Sequence, residues 1–335
     1  MPRTLTAPPP KQAAPILERA LAPVHDGLEA VSGLILSELA DPVARTVVYL
    51  IAAGGKRLRP ALVLLAGASG PSVHRIRLIE LATAVELIHT ATLIHDDIID
   101  RSPLRRAQPT FHEQWGTERA VLMGDYLHAT AFTLIARQDQ TVMRIMADVC
   151  RQLCRGELRE VEARYRLDLT ETEYLDIIRD KTASLIGACC RCGAYLGGCD
   201  AAAVERLAAF GMSFGLAFQI IDDCLDLSGD AQQLGKSILA DLDKGALSLP
   251  VIYLSESLSE RERARLFAPL RRGEVDPAFL SQVAAAAREH GAIDKARRKA
   301  QAMLDDAATA IRRLSINGLR SAYQDLAEYA VTRQH

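Results

Sequence analysis

Two carboxylate-rich stretches constrain this chain more than anything else in it: Asp96-Asp97-Ile98-Ile99-Asp100 and Asp222-Asp223-Cys224-Leu225-Asp226. Both read D-D-x-x-D. The first follows Leu93-Ile94-His95 and the second follows Phe218-Gln219-Ile220-Ile221, so each sits in apolar surroundings. Carboxylates seldom enter an apolar interior unless they are paired or hold a cation. On a helix, residues four apart share a face. Asp96 and Asp100 therefore project together, and so do Asp222 and Asp226. A fold that sets the two helices face to face gathers the six carboxylates into a hard-oxygen cage with open positions. That suits Mg²⁺, which keeps waters and binds few carboxylates together with substrate phosphates. One such motif alone reads equally well as a solvated helix face or a cap.

The rest of the composition points to helices. Aromatics make up only 5% of the chain, and Ala, Leu and Ile carry its hydrophobicity, which favours close-packed helices over sheets. With 40 basic and 42 acidic residues the net charge is -2, so nothing electrostatic argues for nucleic acid or an anionic membrane. No run of about 18 or more apolar residues occurs, and a transmembrane helix is not expected. Residues 1–12 are Pro-rich and read as a disordered lead-in to a domain over 13–335. Seven cysteines in a long chain with no apolar signal core imply a reducing, cytoplasmic setting. Cys189-Cys190-x-Cys192 lacks paired C-x-x-C knuckles and falls in an Ala/Gly-rich helical stretch, where cysteine packs as a small hydrophobe.

Helical periodicity covers 13–39, 76–100, 121–136, 142–165, 171–196, 203–226, 250–258 and 279–314, and convincing strand alternation is absent. Thr170-Glu171-Thr172-Glu173 has the form of a capping box. The expectation is a single all-α domain, a helical bundle around a deep central cavity. Gly235-Lys236-Ser237 imitates the end of a P-loop, but the earlier glycine is misplaced and no strand precedes it.

Cations complement the acids. Gly54-Gly55-Lys56-Arg57-Leu58-Arg59-Pro60 puts three of them beside a flexible Gly-Gly, as a diphosphate clamp would. Arg105-Arg106 follows the first motif. His89 lies two helical turns before Asp96. Lys181 sits in a helix, and Lys236 and Lys244 follow the second motif.

These segments carry a family likeness. GGKRLRP at 54–60, ELIHTATLIHDDIID at 86–100, LRR at 104–106, MGDYL at 123–127, RDKTASL at 179–185 and GLAFQIIDDCLDLSGD at 215–230 resemble the trans-type polyprenyl diphosphate synthases. The resemblance runs from about residue 13 onward. It implies an all-α fold of about a dozen helices, a homodimer, and 1'-4 condensation of isopentenyl diphosphate onto an allylic diphosphate with Mg²⁺, up to three ions. It assigns the metal to Asp96, Asp97, Asp100, Asp222, Asp223 and Asp226. It assigns the allylic diphosphate to Arg105, Lys181, Thr182, Gln219 and Lys236, and isopentenyl diphosphate to Lys56, Arg59, His89 and Arg106. The catalytic set on this reading is Asp96, Asp97, Asp100, Lys181, Asp222 and Asp223.

One departure stands out. Relatives usually read G-K-x-T-L-P where this chain has Gly245-Ala246-Leu247-Ser248-Leu249-Pro250, so Ala246 replaces a lysine and Lys244 is the nearest substitute. Product length is read from the helix before Asp96. Ala91 and Thr92 are small there, where short-chain relatives tend to carry an aromatic. The floor is expected deeper, at Leu87, Ile88 or Phe132. The resemblance is greatest to octaprenyl-type synthases, whose long product is expected to partition into membrane and to serve quinone side chains. The competing readings are a short-chain farnesyl or geranylgeranyl synthase, a terpene cyclase on the same fold, and a non-catalytic subunit of a heteromeric synthase.

Overall fold

The computed structural model describes residues 14–40, 46, 55–72, 74–105, 108–228, 240–314, 316 and 318–333. Residues 1–12, Arg106 and Lys236 lie outside them, as does the P-loop-like Gly235-Lys236-Ser237.

Apolar residues at helical spacing build long helices, and these stack on one another. α1 (Ala14–Leu21), a short 3₁₀ turn (Ala22–Val24) and α2 (His25–Glu38) open the chain. Pro23 breaks what periodicity suggested was one helix. α3 (Leu58–Ala68) and α4 (Arg75–Ile99) follow, and α4 delivers the first acidic motif. Next come α5 (Phe111–Trp115), α6 (Thr117–Ile135) and α7 (Gln140–Ala163). α8 (Glu171–Ile178) leads through a π turn (Arg179–Ala183) into α9 (Ser184–Leu196). α10 (Ala201–Ser228) carries the second motif. α11 (Ala240–Asp243), α12 (Leu249–Ser257), α13 (Glu260–Leu266) and α14 (Ala268–Arg272) are short. α15 (Pro277–Glu289), α16 (Ala292–Arg312) and α17 (Arg320–Thr332) complete the order.

The capping box at Thr170 is present: its hydroxyl accepts from the Glu173 amide at 3.2 Å, and the Glu173 carboxylate accepts from the Thr170 amide at 2.9 Å. One expectation needs correction. The helix expected over 279–314 is two helices, because Gly291 takes a left-handed conformation (φ +64°) that stops the first. A two-residue antiparallel ladder pairs Leu104–Arg105 with Gln108–Pro109. Strands that short leave no alternation to read.

The buried residues form one continuous apolar core. α10 packs along α16 and α9, α4 along α6, and α9 along α3. α4 and α10 are long and apolar enough to cross a membrane by length and composition, but 61% and 50% of their apolar windows are buried within this chain. Both acidic motifs therefore end core helices, which fixes their positions tightly. Cys189, Cys190 and Cys192 are fully buried in α9, and burial pushes the Cys192 thiol up to about 12. They pack as hydrophobes.

Candidate functional site

The two motifs do meet. Asp100 from α4 and Asp223 from α10 line one cleft of about 120 Å³. Lys181, Thr182, Gln219, Asp241, Lys244 and Glu160 share its walls, with Ile177, Ile178 and Leu247 as apolar neighbours. Among the described residues no three His, Cys, Asp or Glu side chains are set to hold a metal ion by themselves. The reason is that several of the carboxylates are drawn to donors of this chain.

Asp97 is 3% exposed and accepts from Arg105 Nε at 2.8 and 3.0 Å. The small ladder turns the chain back so that Arg105 reaches it. Asp97, one of the six expected metal ligands, thus carries Arg105 as its partner here. Asp100 accepts from Arg164 at 2.8 Å and from Lys244 Nζ at 3.0 Å, and Lys244 also donates to Ser102 Oγ at 2.9 Å. Lys244 thus reaches the first motif from the segment that carries Ala246, in the same cleft. Asp223 is 5% exposed, accepting from Tyr174 Oη at 2.6 Å and Gln219 Nε2 at 3.0 Å. Burial and the nearby Asp241 hold its carboxyl well above the usual range. Thr182 Oγ1 donates to Gln219 Oε1 at 3.1 Å, which orients that amide. Asp226 is half-buried one helical turn beyond Asp222.

Lys181 is placed by the π turn, a feature common at functional sites. It pairs with Glu157 at 2.8 Å and with Glu160. Burial works against its charge, but Glu160, Glu157 and Asp96 outweigh that and keep the ammonium above the ordinary lysine range. The adjacent Asp180 points to the other flank of α7, where Arg155 grips it at 2.7 and 2.8 Å. Gly156 lies between these two pairs. A Cβ there would come within 2.4 Å of the Lys181 amide nitrogen, so only glycine lets the turn approach.

The chemistry of the donor set fits a divalent cation. Asp96 is pushed up to about 7 by burial, with Glu157 and Asp100 adding to the rise against Lys181 and Arg105. Asp241 is raised as well, chiefly by burial. Burial raises both carboxylates even with Lys181 nearby. Asp96, Asp97, Asp100, Asp222, Asp223 and Asp226 are the residues that would hold the ion, together with phosphate oxygens of the substrate.

A second basic locus lies at the start of α3. Lys56 stands over the Tyr329 ring at 5.5 Å from its centroid. Arg59 has a buried Nε with no hydrogen-bond partner, and burial lowers its basicity against the nearby Glu86, Cys189 and Asp222. An orphaned guanidinium donor beside a lysine points to an anionic ligand. Between them Arg57 turns inward (φ +48°) and pairs with Glu86 at 2.5 Å, both buried. Replacing Glu86 with alanine removes this buried carboxylate from Arg57 and is expected to cost about 3 kcal/mol. Glu86→Gln, which keeps a hydrogen bond, should cost clearly less; equal thermal unfolding of all three proteins would refute the pairing. His89 is half-buried on α4.

The floor residues separate. Ala91, Leu87 and Ile88 are fully buried, and Thr92 is half-buried with its hydroxyl donating to the His89 carbonyl at 2.9 Å. Phe132 is 43% exposed on the outer side of α6. Within one chain it lies apart from the buried Leu87, Ile88 and Ala91.

Glu157, Glu160, Arg164, Tyr174 and Asp241 are site residues that sequence reasoning passed over. The signal present for Asp241 was its place in the acidic run Asp241-Leu242-Asp243 just before Lys244.

The polyprenyl synthetase family model matches residues 41–286. The chain is 37% identical over 317 residues to heptaprenyl diphosphate synthase component 2 of Geobacillus stearothermophilus, covering 94% of this chain and 96% of that one. It is 35% identical over 308 residues to the short chain isoprenyl diphosphate synthase of Methanothermobacter thermautotrophicus, covering 88% and 91%. Among solved structures, the polyprenyl synthase of Caulobacter crescentus complexed with calcium and isoprenyl diphosphate superposes with a TM-score of 0.90 at 33% identity, over 100% of both chains.

Proposed function

The chain belongs to the polyprenyl synthetase family and is a prenyltransferase, and we propose that it condenses isopentenyl diphosphate head-to-tail with an allylic diphosphate, using Mg²⁺, to make a long all-trans polyprenyl diphosphate with octaprenyl favoured. The observation that carries this is the single cleft where acids of both motifs face Lys181 and Lys244, with the orphaned Arg59 beside Lys56 at a second locus. Two basic loci suit two diphosphates.

In the reaction the allylic C–O bond breaks and its electron pair leaves with the diphosphate. The double bond of isopentenyl diphosphate supplies the pair for the new C–C bond, and a proton is lost to the departing pyrophosphate. A bound divalent cation would neutralise the charge developing on that leaving group. Lys181, Thr182 and Gln219 orient the allylic diphosphate, and the Tyr174–Asp223–Gln219 bonds keep the amide in place. Lys56 and Arg59 hold the second diphosphate. The apolar walls keep water from the cation. No nucleophilic side chain is needed.

Exposed Val121, Leu122 and Phe132 on α6 support a homodimer that covers them. The likeness to a synthase component supports a second reading, in which a different subunit completes the enzyme. Incubating the purified chain alone with an allylic starter and isopentenyl diphosphate tests the proposal: pyrophosphate release is expected. Lys56→Ala should chiefly raise KM for isopentenyl diphosphate and Lys181→Ala that for the allylic substrate, about ten-fold or more each. No release by the chain alone would favour the second reading. Equal effects of both variants on both substrates would refute the two-locus assignment.

A further inference from the structure

Arg333, at the end of α17, is 3% exposed, although nothing in its sequence setting calls for a buried charge. Its guanidinium is held on every side. One terminal nitrogen lies 2.7 Å from Asp222 Oδ1, the other donates to the Phe218 carbonyl at 2.5 Å, Nε donates to the Ala330 carbonyl at 3.2 Å, and the plane stacks on the Phe218 ring at 3.5 Å. Asp222 differs from its partner: its side chain is 41% exposed. Arginine therefore grips the carboxylate from inside the fold and leaves its outer side exposed.

We propose that Arg333 is a built-in counter-ion for Asp222, which takes up the charge of the second motif when no metal is bound and thereby weakens binding of a bare divalent cation to the free protein. The inference rests on the metal-dependent reading of Asp222 above. A fixed cation next to a ligand oxygen repels an incoming ion, and the surroundings screen this poorly because the guanidinium is buried. The metal then enters favourably only with a diphosphate, whose negative charge offsets Arg333. Such an arrangement ties metal loading to substrate arrival. It makes Arg333 a positioning residue that acts through Asp222.

The test is Mn²⁺ binding to the free protein, without substrate, followed by loss of the free-ion paramagnetic resonance signal. Arg333→Met keeps the apolar stem and removes the charge, and it is expected to bind Mn²⁺ at least about five-fold more tightly than wild type. Arg333→Lys should stay near wild type, and Asp222→Asn should bind more weakly. A purely structural role predicts weaker binding in Arg333→Met. Unchanged or weaker binding there, with Asp222→Asn impaired, would overturn the proposal and leave the metal site standing. If wild type takes up no Mn²⁺ even with pyrophosphate, both fall. Arg333→Gln decides the matter if the methionine variant does not fold. If neither folds, amide exchange at 329–333 in wild type decides: it should quicken on adding Mn²⁺ and pyrophosphate as the ion pair opens, and unchanged exchange overturns the proposal.

Discussion

Alanine at Asp96 or at Asp222 is expected to lower turnover by about 10³-fold or more. The two residues come from helices far apart in sequence, and Asp100 and Asp223 beside them line one cleft. Each substitution removes charge from the same place, so the double variant should be little worse than either single one. Asp96 gives the sharper case, because burial already raises its carboxyl to about 7. Single-turnover measurement with labelled isopentenyl diphosphate checks the result. Near-normal turnover in either variant would refute a shared centre.

Phenylalanine at Ala91 is expected to shorten the product to about three or four isoprene units. Ala91 is fully buried on α4, five residues before Asp96, with Leu87 and Ile88 equally buried one turn further on. A growing apolar chain that starts at the acidic cleft and runs down this face meets the new ring first. Chromatography of dephosphorylated products reads the length. A long product unchanged by the substitution would misplace the tunnel. Wild-type enzyme that stops at about fifteen or twenty carbons with excess isopentenyl diphosphate would overturn the long-chain reading itself.

Much of the fold and of the acidic centre was visible in the residues alone. The acidic motifs stood out because repeated carboxylates in an apolar helix require a cation or a paired donor to offset their charge. The long helices were legible from their periodicity, and the Thr170 cap from its pattern. What could not be read were pairings made across the fold. Asp97 belongs to Arg105 only because a two-residue ladder doubles the chain back. Glu157 and Glu160 look like the wet side of an amphipathic helix until the π turn brings Lys181 to them. Arg333 looks like an ordinary solvated arginine, and its burial depends on α17 packing beside α10. Gly291 was a readable stop, overlooked because apolar spacing continues through it.

The π turn at Arg179–Ala183 has a geometric corollary. A turn closed by an i→i+5 bond holds one residue more than its neighbours. Everything after it is rotated by about 100° relative to an unbroken α-helix. The apolar faces of α8 and α9 are therefore cut out of phase, and each matches its own surroundings only while the extra residue is present. Removing one residue between 179 and 183 would give smoother local backbone geometry, yet it would turn Leu185, Cys189 and Cys192 away from the core they fill. The segment that presents the lysine is thereby protected against regularisation: the straighter helix, favoured locally, is excluded by the packing of the whole.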